Sequence, residues 1–311
     1  MNLLSVVIPV FNEEESINET INRLLCLEDS CKSKNLEIEL LFINDGSQDN
    51  SLKILKEHAS LNSAIKIISF SRNFGHQIAI TAGTDLAKGD YIAVIDADLQ
   101  DPPELILDMY EKCKEGYEVV YGKRKSRAGE TIFKKLTASF FYKFLNYMSE
   151  TDIPKDTGDF RIMSRKVADS LKIMREKHRF MRGMIPWMGF KEVALEYDRS
   201  ERFAGETKYP LKKMFKFAVN AILSFSSKPL TLAIRLGGFI TTLGFIGGIY
   251  MLYLKLFTTY PIPGITSILL TIIIFSGLQI ILIGLIGEYI ARIFEEVKNR
   301  PLYFIDEKIN L

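Results

Sequence analysis

The 311-residue chain carries 40 Lys and Arg against 38 Asp and Glu, a formal net charge of +2. That length suits one large or two modest domains, and so even a balance supplies no overall field pointing to nucleic acid. The average hides a split, because charged residues are frequent up to about Lys228 and nearly vanish from Leu236 to Gly287. Cys26, Cys31 and Cys113 are odd in number and lack metal-ligand spacing, so they read as reduced thiols of a cytosol-facing domain. The three histidines form no metal-binding pattern.

Leu4 to Phe11 predicts a strand, not the basic start and long apolar run of a signal peptide. Asn12 to Ser16 turns into a helix with Ile17, Ile21, Leu24 and Leu25 at helical spacing. Ile38 to Ile43 predicts a second strand, closed by Asn44-Asp45-Gly46-Ser47-Gln48-Asp49, where Asp-Gly makes a turn and Ser47 or Asp49 can cap a helix over 51–60. Ile65 to Phe70 is a third strand; Arg72-Asn73-Phe74-Gly75-His76 and a helix through Ala79, Ala82 and Leu86 follow. Tyr91 to Ile95 is a fourth, and it runs straight into acid. Strands alternating with helices imply a mostly parallel α/β sheet covered on both faces. Glu13, Asp45 and Asp96 with Asp98 all fall at carboxyl ends of strands, where such sheets bind ligands. Each loop taken singly is explained as well by turn chemistry.

The stretch after the fourth strand is the most informative. In an extended chain Asp96, Asp98 and Gln100 share one side, and Pro102 and Pro103 stop the strand where a helix can start. Two carboxylates and an amide oxygen suit a hard divalent cation such as Mg²⁺ or Mn²⁺, which commonly shares its ligands with phosphates.

Together Val6 to Glu13, Asn44 to Asp49, Asn73-x-Gly75 and Asp96-Ala-Asp-Leu-Gln-Asp-Pro-Pro-Glu104 resemble the inverting glycosyltransferases of family 2, with the GT-A fold. The last motif is most similar to the branch that loads a sugar onto a polyisoprenyl phosphate, that of dolichol-phosphate mannose synthase and the bacterial GtrB-type enzymes. The family pattern often has Tyr where Phe11 stands, which keeps the ring and removes a hydroxyl. The resemblance implies that Pro9, Glu13 and Asp45 hold the base and ribose of a nucleotide sugar. It sets Asp96 beside the nucleotide and gives Asp98 and Gln100 to a metal ion on the diphosphate. Arg72 adds to the phosphate site or forms a surface ion pair.

Further along, Glu118 to Gly122 is a short strand followed by the basic run Lys123 to Arg127, a solvated loop or a contact for phosphate or anionic lipid. Two amphipathic helices with lysine flanks, about 131–149 and 210–226, fit a membrane interface. Asp159 stands where the family is proposed to have a catalytic base. A phosphate monoester is already largely ionised near neutral pH, so Asp159 is a site residue whose role stays open between orienting the acceptor, holding a cation and removing a proton. Arg161 pairs with Asp159 or with phosphate. His178 to Trp187 lacks the Gln-x-x-Arg-Trp motif of processive polysaccharide synthases. Val193 to Tyr197 is a further strand, and the loop 199–209 resembles the one that contacts the acceptor phosphate, with Arg202 and Lys208 as its cations.

Leu236 to Leu254 and Ile265 to Gly287 are 19 and 23 residues without charge, each long enough to span a bilayer. Pro261 and Pro263 make the connection a hairpin, and Lys228, Arg235, Arg292, Lys298 and Arg300 at the outer ends predict both termini in the cytosol. Gly244 and Gly248 let helices approach closely, within the hairpin or between copies in a homo-oligomer. The expected organisation is a cytosolic GT-A domain over 1–228, two membrane helices within 229–290 (about 234–255 and 265–287), and a cytosolic tail over 291–311. The expected activity is transfer of a sugar to a polyprenyl phosphate. Glucose from UDP-glucose is the first choice and mannose from GDP-mannose the next. The rivals are a different lipid acceptor and a non-catalytic membrane scaffold.

Overall fold

A computed structural model describes residues 1–125, 157–198, 228–257 and 264–311. The two expected interface helices, Arg202 and Lys208 lie outside the described residues. The chain forms two compact units, the first holding the described residues up to 198 together with 300–311, the second holding 228–257 and 264–299.

The first unit is built on one sheet with the spatial order β7-β5-β6-β4-β1-β2-β3-β8. Its strands are β1 (Asn2–Val10), β2 (Leu36–Asn44), β3 (Ile65–Phe70), β4 (Tyr91–Val94), β5 (Val119–Arg124), β6 (Thr157–Ser164), β7 (Glu192–Tyr197) and β8 (Ile305–Ile309). The helices are α1 (Ile17–Leu25), α2 (Leu27–Ser33), α3 (Ser51–Leu61), α4 (His76–Leu86), α5 (Leu105–Lys114), α6 (Arg165–Ile173) and α7 (Met181–Trp187). β1 pairs in parallel with both β2 and β4, and β2 with β3. β6 runs antiparallel to β4 and β5, so the sheet is mixed, as in the GT-A fold.

Covering on both faces explains the apolar runs. β1 is buried without interruption from Leu4 to Val10, the pattern of a central parallel strand rather than an alternating one. The pairing of β1 with β4 ends at Val7 and Val94, while its pairing with β2 continues to Val10. The ladder between β1 and β4 therefore stops short of the one between β1 and β2, closing with the Ile95 amide on the Val7 carbonyl at 3.1 Å. Pro9, which has no N–H to give a ladder, sits beyond that point.

At the opposite end of β1, Glu39 is buried but satisfied by Ser5 Oγ, Lys66 Nζ and, at 2.8 Å, the Lys88 amide. α4 lies on β1 so closely that a Cβ at Gly83 would overlap a methyl of Val7.

The residues after the second unit return to the first. β8 closes the free edge of the sheet by pairing antiparallel with β3. The expected tail over 291–311 thus begins as the end of the last apolar helix and finishes as a strand of the first unit. In the second unit α8 (Lys228–Phe257) and α9 (Ile265–Val297) are exposed along nearly their whole lengths. Within them 228–250 and 271–297 are long and apolar enough to cross a membrane. A core helix of a soluble protein would be buried, and these are not.

Gly83→Ala is expected to lower unfolding free energy by about 1–3 kcal/mol through overpacking. Thermal melts of the detergent-solubilised chain should show that loss, and Val7→Ala added to Gly83→Ala should recover part of it.

Candidate active site

The loops at the carboxyl ends of β1, β2 and β3 are tied to one another before any ligand arrives. Asn12, at a φ of 54°, receives a hydrogen bond on its Oδ1 from the Gln48 amide at 2.8 Å, and its own amide donates to Ser47 Oγ at 3.1 Å. The Glu13 amide donates to Ser51 Oγ at 2.9 Å. Ser47 links loops, whereas Asp49 does as expected and also more: it accepts from the amide of Ser51 at the start of α3 and from the Glu14 amide of the first loop. Gly46, at a φ of 66°, lets the second loop pass the third, and a Cβ there would stand 2.6 Å from the Arg72 carbonyl carbon.

Asp45 is buried between these loops and accepts from the amides of Phe74 and Gly75 at 2.6 and 2.9 Å. Burial raises its pKa against the pull of those amides. The structure thus gives Asp45 the task of shaping the turn before α4. A cleft of about 370 Å³ opens over the loops, lined among others by Phe11, Gln48, Leu52, Arg72 and Asn73. Phe11 and Arg72 meet there; Pro9, Glu13, Asp45, Asp96 and Asp98 are not among its walls. Arg72 lies 4.0 Å over the Phe74 ring.

The loop after β4 is a turn, not the extended chain from which a shared side for Asp96, Asp98 and Gln100 was expected. Ala97 and Leu99 are buried, whereas Asp96, Asp98 and Gln100 are half-buried. Leu99 takes a φ of 56°, a costly conformation for a non-glycine residue, and burial of its side chain holds it there. Thr20 Oγ1 donates to the Ala97 carbonyl at 2.8 Å, and Arg23 binds Glu104 at 2.8 Å, so α1 fixes both ends of the loop.

Beside this loop, on the strand next to β4, stands an ionic cluster. The antiparallel register of β4 and β6 ends with Val94 against Arg161, and just beyond it His76 lies 3.5 Å from Asp96 and 3.2 Å from Asp159. Asp159 is 3% exposed and accepts from His76 Nε2 at 3.2 Å, Gln77 Nε2 at 3.0 Å, and Arg182 Nε and Nη2, both at 3.1 Å. Burial works against its charge, but the cations of Arg182 and His76 hold the carboxyl well below the usual range.

His76 also lies 3.5 Å from Asp96 Oδ1. Burial would lower the imidazole pKa; the carboxylates of Asp96 and Asp159 outweigh it and raise it to about 9. Asp96 itself is pushed up to about 6, chiefly by burial. Arg161 is 5% exposed and donates to the carbonyls of Asp159 and Gly158 at 3.3 and 3.1 Å. His76, Gln77 and Arg182 were not singled out as site residues in the sequence; their partner lies 83, 82 and 23 residues away.

A divalent ion fits this arrangement. Asp96 Oδ1 is buried with no hydrogen-bond partner, and Asp98 and Gln100 follow, each half-buried. Among the described residues no three acidic, His or Cys side chains form a metal cage, and an ion shared with phosphates needs only one or two carboxylates.

Residues 5–172 match the family model for glycosyl transferase family 2. The glycosyltransferase YkcC of Bacillus subtilis is 55% identical, over 99% of this chain and 94% of its own. A prophage-derived bactoprenol glucosyl transferase of Shigella flexneri is 40% identical, over 97% of each chain. A solved mannosyl-3-phosphoglycerate synthase from Rubrobacter xylanophilus aligns over 85% of this chain and 78% of its own at 14% identity, with a TM-score of 0.49.

Two outcomes follow from the cluster. Asp159→Ala leaves buried cations without their anion and should cost about 3–5 kcal/mol of stability, read by denaturant unfolding. His76 has a folded-state pKa raised from 6.5 to about 9, so its stabilisation is full below pH 6.5 and fades as pH rises through 9. The ring is 40% exposed, and solvent screening reduces a nominal value of about 3 kcal/mol to about 1–2 kcal/mol. The stability gap between wild type and His76→Gln should therefore shrink between pH 6.5 and pH 10; a constant gap would contradict the assignment.

Proposed function

The chain belongs to glycosyltransferase family 2, and from that membership we propose its reaction: a glucosyl residue passes from UDP-glucose to a polyprenyl phosphate, with inversion, at the cytosolic face of a membrane. The observation that carries this reading is the acid loop after β4, with Asp96, Asp98 and Gln100, set directly beside the cluster of His76, Asp159 and Arg182, His76 lying 3.5 Å from Asp96. The name of the Shigella flexneri relative, a bactoprenol glucosyl transferase, favours glucose and a polyprenyl acceptor, and its likeness extends over both apolar helices.

In this reading the cleft between Phe11, Gln48 and Arg72 takes the nucleoside end of the donor, beside Pro9, Glu13 and the loop shaped by Asp45. Asp98 and Gln100, with Asp96 nearby, would hold the divalent ion, Mg²⁺ or Mn²⁺, that the donor diphosphate requires. The ion stabilises the charge that develops on the leaving diphosphate.

The acceptor phosphate is already anionic, so its oxygen attacks the anomeric carbon without prior loss of a proton. Asp159, ionised and held by three donor residues, is a poor proton acceptor; its part is to fix His76 and Arg182 as a positive wall. Arg182 is 27% exposed and better placed to meet phosphate than Arg161, whose guanidinium donates to carbonyls of its own strand. Arg202 and Lys208 join the acceptor phosphate by family resemblance.

The placement of β8 supports the proposed topology. A chain that leaves the catalytic sheet, passes through α8 and α9, and returns to the same sheet crosses a bilayer an even number of times. Lys228, Arg235, Arg292, Lys298 and Arg300 favour the cytosolic side for that sheet.

Purified chain in detergent, given short-chain polyprenyl phosphate, Mg²⁺ and labelled UDP-glucose or GDP-mannose, should move label into lipid from UDP-glucose, and EDTA should stop it. Asp98→Ala should cut kcat at least 100-fold with little change in melting temperature. Label from GDP-mannose alone would reassign the donor, and nucleotide binding without lipid product from either donor would sink the proposed pair of substrates.

A further inference from the structure

The cleft over the β1, β2 and β3 loops has one wall that the family-matched segment, residues 5–172, does not supply. That wall is Asp306, on β8, reached only after the chain has passed through both apolar helices. It is held rigidly. Immediately before it, Ile305 pairs with Phe70 in the sheet, the Ser71 amide donates to the Phe304 carbonyl at 3.1 Å, and the Tyr303 ring stacks on Phe70 at 5.2 Å. Immediately after it, Glu307 binds Lys56 at 2.5 Å. Asn310 Nδ2 then ties the end of the strand to the carbonyls of Ala59 and Ile65 at 2.8 and 3.0 Å.

The pairing with β3 is irregular here: Ser69 meets Glu307 and Phe70 meets Ile305, which leaves Asp306 between them, exposed on the cleft wall, while Ile305, Glu307 and Ile309 are half-buried. Among the described residues its carboxylate has no hydrogen-bond or ion-pair partner, although Arg72 lines the same cleft.

An ionised carboxylate only accepts hydrogen bonds and repels phosphate. In a nucleotide sugar the groups that suit it are the N–H of the base and the hydroxyls of the ribose. We infer that Asp306 is a donor-binding residue: its carboxylate accepts a hydrogen bond from the nucleoside and, by its charge, keeps the diphosphate at the opposite, metal-bearing end of the site. This rests on the proposed use of a nucleotide sugar. It makes the C-terminal strand part of the active site, so that donor recognition depends on chain beyond the membrane helices. Charge on an edge strand also discourages edge-to-edge pairing; that role would be indifferent to nucleotide, and the test below separates the two.

The test is isothermal titration of the full-length chain in detergent with Mg²⁺ and, in turn, UDP, GDP and inorganic pyrophosphate. Asp306→Ala should weaken the binding of whichever nucleotide the wild type takes by about tenfold, the scale of one hydrogen bond to a charged group, and should leave pyrophosphate unchanged or slightly tighter. Asp306→Asn, which keeps an acceptor oxygen and the size of the side chain, should lose less. Glu307→Gln, which breaks the Lys56 ion pair at the next residue of the strand, should leave nucleotide affinity unchanged.

If UDP is the nucleotide, 2′,3′-dideoxy-UDP locates the donor group. A penalty that persists with it assigns the base, and a penalty that vanishes assigns the ribose. Unchanged nucleotide affinity in Asp306→Ala, or equal loss for nucleotide and pyrophosphate, would overturn the inference while leaving the nucleotide-sugar reading intact. Binding of neither nucleotide by the wild type would overturn both.

Discussion

Asp159 carries its negative charge almost out of reach of water, and a charge so placed has to be balanced where it stands. Its partners come from the start of α4 and the first residues of α7, while Asp159 itself rides on β6. Gln77 adds a second tie, donating to Asp159 and accepting from the Met181 amide at 2.9 Å. One carboxylate thereby fixes three elements around the carboxyl end of β4. The order that results is paid for by desolvation, which is why every donor is engaged and why the carboxylate is so unwilling to take a proton.

That reluctance bears on how the chemistry divides between the loop after β4 and the neighbouring strand β6. On the β4 side, Asp96 is raised toward neutrality and has a buried oxygen with no hydrogen-bond partner, while Asp98 and Gln100 stay half-open. On the β6 side the charge is already matched within the protein. Two aspartates that share His76 as a neighbour thus sit in opposite electrostatic environments. The first suits binding of a cation and its phosphates, and the second suits holding arginine and histidine in place. Such separation of roles by environment is the usual physical basis of an acid-rich site.

The edge of the sheet shows a second economy. β8 shields the ladder of β3 that would otherwise be open, and its aromatic neighbours pack against the loop that leads into α4: Tyr303 on Phe70, and Phe304 at 6.4 Å from Phe74. The same loop carries Arg72 to His76. The segment after the apolar helices is therefore tied by covalent chain to the second unit and by packing to the loops of the first. Only an even number of crossings is compatible with that closure if the helices span a bilayer.

Much of this was legible in the residues. The apolar runs of β1 to β4, the acid loops at their ends and the two uncharged stretches each depend on local order in the chain, so periodicity and composition reveal them. The alternating burial of the residues from Asp96 to Gln100 was also readable, because it needs only neighbouring residues, although the chain there turns and is not extended. What the sequence by itself determined was the α/β alternation, the metal-suited motif and the class of apolar helix. Tertiary structure alone decided the ionic cluster, since nothing near His76 or Arg182 in sequence announces a carboxylate brought in by strand pairing. It also decided that Asp45 is occupied by the backbone of the next loop and that five residues near the C-terminus complete the sheet. Those facts arise from contacts between segments far apart in the chain, and an edge strand of mostly charged residues has too little apolar character to declare its partner in advance.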